Sequence, residues 1–371
     1  MRESRRGGRP VVRWVARVIG WGGLALVLVV GVAALISADA RFVLRGAYEE
    51  ARLLLRRRPL ADLVSDPETP APWREAAALV LDARVYADTA LGLRVGDTYT
   101  TFAEVGRDTL LLVLSASPKD ALRAHLWRFP IVGAVPYRGF FSLRSAQAMQ
   151  RRLEAEGYDT YLRPAAAFST LGWFNDPLLS TVLDGDRVSV VETVFHESAH
   201  TTVYVPSATP FDESFAAFVG YRGAEAFFLG RGDSAGAARS AARWRDELRL
   251  AGFYARLADT LTAIYGAGLD PVALDVARVE TFAAARAELA GPLGDSLEVY
   301  SGAGMARRPL NNATVIAARI YRTRLDLFES LFQRANTVRA SVERLAAAIG
   351  GRPGTDPYVV LEELLGAPDP G

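Results

Sequence analysis

Val194-Phe195-His196-Glu197-Ser198-Ala199-His200, near the middle of a 371-residue chain, decides the reading of this sequence. On a helix, residues four apart lie on one face about one turn from each other, so both imidazoles can reach a single ion. Glu197 is turned about 100° from His196, so it can face the open side of that ion without being forced to bind it. Val191, Val194, Phe195 and Ala199 give the segment a substantial apolar surface, as a helix packed on a core requires. The chain has three histidines in all, which makes the pairing of two at this spacing informative. The competing reading is a helix whose two histidines are satisfied by hydrogen bonds inside the core.

Two imidazoles do not close a zinc site, which needs a third protein ligand and one position left for water. Thr209-Pro210-Phe211-Asp212-Glu213 opens the next helix, with Thr209 as N-cap, Pro210 at the first helical position and Asp212 three residues after the cap. Glu213 shares a face with Ala216, Ala217 and Gly220, small enough for another helix to approach closely, and is therefore predicted to be the third ligand. Asp212 points about 100° away and reads as a capping residue. The plainer alternative is that both acids merely face the helix dipole.

One Zn2+ per chain on His196, His200 and Glu213, with Glu197 as general base, predicts hydrolysis by metal-activated water. The developing oxyanion needs a second donor; Tyr321, on a helix after Asn311-Asn312, is the candidate, with an ordinary packed tyrosine as the alternative. Glu192, one turn before His196, either orients an imidazole or is an exposed helical acid. His125 has nothing near it at ligand spacing and reads as structural.

Around this centre the pattern is mostly helical. Helical periodicity or helix punctuation marks Phe42–Arg58 (stopped by Pro59), Pro72–Leu91, Ser142–Glu156, Asp186–Val203, Phe211–Leu229 and Ser234–Tyr265, the last one long or paired. Further helices are expected over 271–290, 312–349 and 357–365. Strands are expected at Thr109–Leu114 and Thr160–Arg163, with aromatic loops at Phe129–Phe141 and Phe168–Pro177. The fold class expected is α+β, predominantly α-helical, with a peptidase domain over 39–366 in one lobe or two and a flexible tail at 367–371.

The N-terminus carries its own signal. Arg2, Arg5, Arg6, Arg9, Arg13 and Arg17 precede an uncharged apolar run from Val18 to Ile36. At about 1.5 Å per residue this run spans roughly 28 Å, close to a bilayer's hydrocarbon core. Trp14 and Trp21 stand near one end, as interfacial aromatics do. The expectation is a basic cytoplasmic tail at 1–17 and an uncleaved, single-pass transmembrane signal-anchor at 18–38. The remainder then lies outside the inner membrane, although Ala38-Asp39-Ala40 resembles a cleavage site. A formal net charge of +1 with scattered arginines argues against nucleic acid as partner. The absence of cysteine excludes disulfides and thiolate chemistry.

His196-Glu197-x-x-His200 followed by Glu213-Ser214-Phe215-Ala216 resembles the gluzincin arrangement of metallopeptidases, in which a glutamate on the next helix is the third ligand. More closely, the chain is similar to a bacterial family described as putative aminopeptidases. The similarity runs from about 42 to 335, through Val135–Phe141, Ser169–Phe174, Asp176–Thr181, the histidine motif and Asn311-Asn312-Ala313. The resemblance implies a zincin-like fold, a peptide or protein substrate and an aminopeptidase activity; no residue pattern here supplies the word aminopeptidase. The family pattern often has Asn where Asp212 stands and Cys where Ala134 stands. A zinc endopeptidase, a zinc hydrolase acting on a non-peptide bond and a non-catalytic envelope binding protein are the other readings. Glu197 argues against the last, since a binding module needs no general base.

Overall fold

The computed structural model describes residues 38–366 except 106–110, 130–132 and 166–176, together with Trp14 and Trp21. The chain divides into two compact units, Met1–Leu55 and Arg56–Gly371. Helix α1 (Ala38–Arg56) accounts for the periodicity read from Phe42 to Arg58. The apolar run 18–36 lies outside the described residues apart from Trp21. Among the described residues no helix is long and apolar enough to cross a membrane.

In the second unit β1 (Arg58–Pro59), α2 (Leu60–Ser65), α3 (Ala71–Thr89) and β2 (Thr101–Ala103) come first. A sheet-bearing stretch follows: β3 (Leu111–Pro118), β4 (Trp127–Phe129), β5 (Gly133–Val135), β6 (Tyr137–Phe140), α4 (Leu143–Ala155) and β7 (Tyr158–Ala165). After β8 (Leu178–Leu179) and the short α5 (Ser180–Leu183), three long helices run in succession, α6 (Arg187–Thr202), α7 (Thr209–Gly230) and α8 (Ser234–Gly266). The chain closes with α9 (Pro271–Ala290), α10 (Pro292–Ser296), α11 (Gly302–Ala306), α12 (Asn312–Ile320), α13 (Leu325–Ala335), α14 (Val338–Gly350) and α15 (Pro357–Gly366).

Helix α7 lies at the centre because it has no polar face. Phe211, Phe215, Phe218, Phe227 and Phe228 are all buried, each contributing about 1.5–3 kcal/mol on leaving water. A helix apolar all round must be covered on every side, and α6, α8, α12, α13 and α14 pack around it. A second core joins Leu250, Phe253 and Leu257 of α8 to Phe282 and Leu289 of α9 and Val315 of α12.

The sheet β6-β3-β7 is antiparallel throughout, with Val113 facing Gly139 on one side and Arg163 on the other, and Ser115 facing Tyr137 and Tyr161. Alternation sends Leu112, Leu114, Tyr158 and Leu162 to one face, where they pack with Ala146, Met149 and Leu153 of α4. Asp159, Tyr161 and Arg163 take the opposite face.

Several expectations are revised. Phe129–Phe141 is not a loop throughout: Gly133–Val135 pairs with Trp127–Phe129, and Tyr137–Phe140 pairs with β3. Strands of three or four residues around Pro136 are too short for alternation to announce them. The aromatic loop at 168–176 lies outside the described residues. The segment 312–349 is three helices, because Arg324 (φ 51°) and Asn336 (φ 61°) adopt left-handed conformations that reverse the chain. Ser234–Gly266 is one unbroken helix of 33 residues.

Candidate metal centre

Helix α6 starts at Asp186, whose carboxylate accepts from the backbone N–H groups of Val188 and Ser189 at 3.1 and 3.2 Å and so satisfies two otherwise orphaned donors. One turn from its end come His196 and His200. The end itself is tied to the loop after α3: Arg94 Nε donates to the Thr201 carbonyl at 3.1 Å, and the Arg94 N–H donates to Thr202 Oγ1 at 3.0 Å. The end of the helix just after His200 is thus tied to this loop.

Helix α7 reaches this turn because Gly220 lets it. A Cβ at Gly220 would stand 2.9 Å from the Glu192 carbonyl oxygen and 3.5 Å from His196 Cβ. No side chain larger than hydrogen fits between the two helices at this crossing. Glu213 lies two turns ahead of Gly220 on the same face, and its carboxylate arrives 3.2 Å from His196 Nε2 and 3.7 Å from His200 Nε2. The two Nε2 atoms are 3.3 Å apart. In a tetrahedral site with bonds of about 2.05 Å, neighbouring ligand atoms stand roughly 3.3–3.4 Å apart. Two of the three separations are close to a tetrahedral edge and the third, 3.7 Å, is wider; together the three donors could hold a metal ion.

The protonation states agree with a closely coupled cluster. Burial pushes the Glu213 carboxyl up, but hydrogen bonds and charge from His196 and His200 overcome it and bring it down to about 2. For His200 burial opposes the charged ring, and Glu213, Glu197 and Asp212 outweigh it, leaving its pKa above the ordinary histidine value. Glu197 is half-buried and makes no hydrogen bond among the described residues. Its charge acts on both His200 and the Tyr321 hydroxyl, which places it beside the cluster.

Asp212 is not a cap. Helix α7 begins at Thr209, with Ala208 as the flanking residue and no side-chain cap bond. The Asp212 carboxylate instead accepts the Val205 backbone N–H at 2.9 Å, closing the loop that leads into α7. Burial pushes its pKa up to about 6. Glu192 neither orients an imidazole nor faces solvent: it accepts from Ser240 Oγ at 2.8 Å and pairs with Arg243 at 2.7 Å, tying α8 to α6 one turn before His196. His125 stacks edge-on against Trp127 and Tyr158, far from any ligand grouping, as its structural reading requires.

Tyr321 closes α12 and is 36 % exposed, its ring 6.4 Å from that of His196. Two bonds fix the turn that carries it: the Thr323 N–H donates to Ser214 Oγ at 3.0 Å, beside Glu213, and Arg322 Nη2 donates to Glu247 at 3.0 Å. Burial, reinforced by the charge of Glu213 and partly offset by Arg163, pushes the Tyr321 hydroxyl up to about 12. It stays a proton donor at neutral pH.

Asn311 and Asn312, singled out as part of a motif, are engaged by the protein's own backbone and side chains. Asn311 Nδ2 donates to the Thr160 carbonyl at 3.0 Å, Asn312 Nδ2 to the Pro118 carbonyl at 2.8 Å, and the Asn312 N–H to Asp159 at 3.0 Å. They clamp β3 and β7 onto the start of α12. Sequence reasoning missed that role, and it missed Arg94, since nothing local marks a residue whose partner is more than a hundred positions away.

The fold and these residues define a helical protein whose central helix pair could hold a metal ion, with an unpaired glutamate at its side. The chain belongs to the family described as "putative aminopeptidase", whose model matches residues 41–350. Membership points to peptide hydrolysis as the activity. No curated protein and no solved structure matches the chain.

Proposed function

We propose that this protein is a zinc-dependent peptidase in which His196, His200 and Glu213 hold the ion and Glu197 is the general base. The observation that carries the reading is the spacing of the three donor atoms, 3.2 and 3.3 Å for two pairs, with a free carboxylate one residue from the first ligand. Two nitrogens and a carboxylate oxygen are the donor set of catalytic zinc, which keeps its fourth position for water. Zinc bound by these residues would supply a water of pKa about 7 and polarise a carbonyl.

The chain's own residues do the rest. Glu197 takes a proton from the water as its oxygen attacks the peptide carbonyl carbon, then passes that proton to the departing amine nitrogen. Tyr321, protonated at neutral pH, donates its hydroxyl proton in a hydrogen bond to the carbonyl oxygen as negative charge gathers there. Gly220 and Arg94 hold the donors in place and take no part in the proton traffic.

Glu197→Gln tests the reading directly. The expected result is one zinc per chain by elemental analysis and a fall in peptide cleavage of about a hundredfold or more. Cleavage that survives removes Glu197 from the mechanism; bound zinc with no cleavage by the unaltered chain makes the site a binding module.

We also propose that the apolar run Val18–Ile36 anchors the chain in the inner membrane with the helical unit outside the cytoplasm. Retention in the membrane fraction after alkaline carbonate washing is the expected outcome, and release by that wash rules the anchor out.

A further inference from the structure

The sheet delivers one more charged group to the mouth of this site. Strand β7 and helix α12 start together, at Asp159 and Asn312, which are hydrogen-bonded at 3.0 Å. They run side by side, because α12 packs along both β3 and β7. Four residues of strand from Asp159 to Arg163 advance about 13 Å, and nine residues of helix from Asn312 to Tyr321 advance about 13.5 Å. Arg163 therefore comes level with Tyr321. It lies on the strand face that carries Asp159 and Tyr161, in a row with Val113 and Gly139, whose side chains are too short to cover it. Its charge acts on the Tyr321 hydroxyl against those of Glu213 and Glu197.

Arg163 differs from the arginines buried deeper in this unit. Arg222, Arg243, Arg278 and Arg322 each meet a carboxylate, at 2.6–2.7 Å. Arg163 is half-buried and its backbone pairs with β3, but its guanidinium makes no hydrogen bond or ion pair among the described residues. A guanidinium taken partly out of water without an anion is costly, and the partner it fits best is a carboxylate met by two parallel N–H bonds. Glu213 and Glu197, whose charges act on the same Tyr321 hydroxyl, are assigned to the ion and to proton transfer in this reading.

We propose that Arg163 anchors a carboxylate of the peptide substrate beside the scissile bond. The proposal rests on the peptidase reading. It makes the preferred substrates peptides with an acidic side chain next to the cleaved bond, or short peptides whose free C-terminus falls there. Both sources present the same group to the guanidinium, and matched peptides separate them.

The experiment uses the zinc-loaded full chain carrying Glu197→Gln, so that bound peptide is not consumed. Calorimetry compares Ala-Ala-Ala with its C-terminal amide, and Ala-Glu-Ala amide with Ala-Gln-Ala amide. In one of the two pairs the acid is expected to bind about tenfold or more tighter than its neutral twin. The pair that shows the preference identifies the source of the carboxylate. Adding Arg163→Gln should bring that ratio to within about twofold, and Arg163→Lys should keep part of it. A merely structural arginine would weaken both members of a pair alike and leave the ratio unchanged.

Equal binding of acid and neutral twin in both pairs overturns the proposal, as does a preference that survives Arg163→Gln. Should the Gln variant not fold, the ratio in the parent and in Arg163→Lys still decides. Acid preference without cleavage by the chain with Glu197 intact sinks the peptidase reading and leaves the anchor. Cleavage without acid preference does the reverse, and no binding by any of the four peptides overturns the anchor.

Discussion

The α6–α7 helix pair and the β6-β3-β7 sheet both pack on α12, yet they are built in opposite ways. The helix pair carries its donors on consecutive elements, and the contact that matters, His196 with Glu213, spans 17 residues. The sheet reaches the site through Asn312, whose bond to the Pro118 carbonyl spans 194 residues. One region is assembled by local geometry and a glycine contact; the other is held by a buried polar clamp. The difference predicts that zinc content and substrate affinity respond separately to substitutions in the two regions.

The largest expected effect is on the helix pair. Glu213→Ala should leave zinc well below one per chain and reduce cleavage by more than about a thousandfold, measured by elemental analysis and peptide turnover. Full zinc occupancy in that variant would mean that the helix pair is not the metal centre.

Asn312→Ala attacks the clamp instead. Asn312 is fully buried and also accepts from the Tyr265 hydroxyl at 2.7 Å, so its loss should destabilise the chain by about 3 kcal/mol. Zinc content should stay at one per chain while KM rises more than kcat falls. If zinc is lost in step, the two regions are not separable.

Gly220→Ala tests the close approach. A methyl group 2.9 Å from a backbone oxygen forces α6 and α7 apart, with an expected stability loss of about 2 kcal/mol in denaturant titrations and a weaker zinc affinity. An unchanged affinity would show that Glu213 follows the ion without help from the crossing.

The smallest effect is a pH signature of the metal-free chain. Glu213, held to about 2 against an ordinary 4.5, contributes stability above 4.5 that is lost as pH falls toward 2. His200, raised above an ordinary 6.5, contributes stability below 6.5 that is lost as pH rises through its folded value. The difference in unfolding free energy between the unaltered chain and Glu213→Gln should therefore peak between 4.5 and 6.5. A difference that is flat across that range would mean the three groups do not interact before metal binds.

How far the sequence could be read follows from the range of each contact. The histidine pair and Glu213 were legible because the helical repeat turns spacing into direction, and Ala216, Ala217 and Gly220 mark a face fit for close packing. Asp212 was misread because its partner is a loop N–H at Val205, which no capping rule anticipates. Glu192, read as either an imidazole-orienting group or an exposed acid, is neither, because Ser240 and Arg243 of α8 engage its carboxylate. Three helices were read as one over 312–349: Arg324 gives no hint of its left-handed backbone, and the hint from Asn336, a residue that tolerates that conformation at a helix end, was passed over.

Residues 194–200 and 209–220 thus carried their chemistry in the chain itself, since backbone geometry fixes where side chains at i, i+4 and i+7 point. What stands opposite them came from the folded state alone: Tyr321 beside His196, and Arg163 level with Tyr321. Those placements depend on buried hydrogen bonds between segments far apart in sequence, and such bonds exist only once the core around α7 has closed.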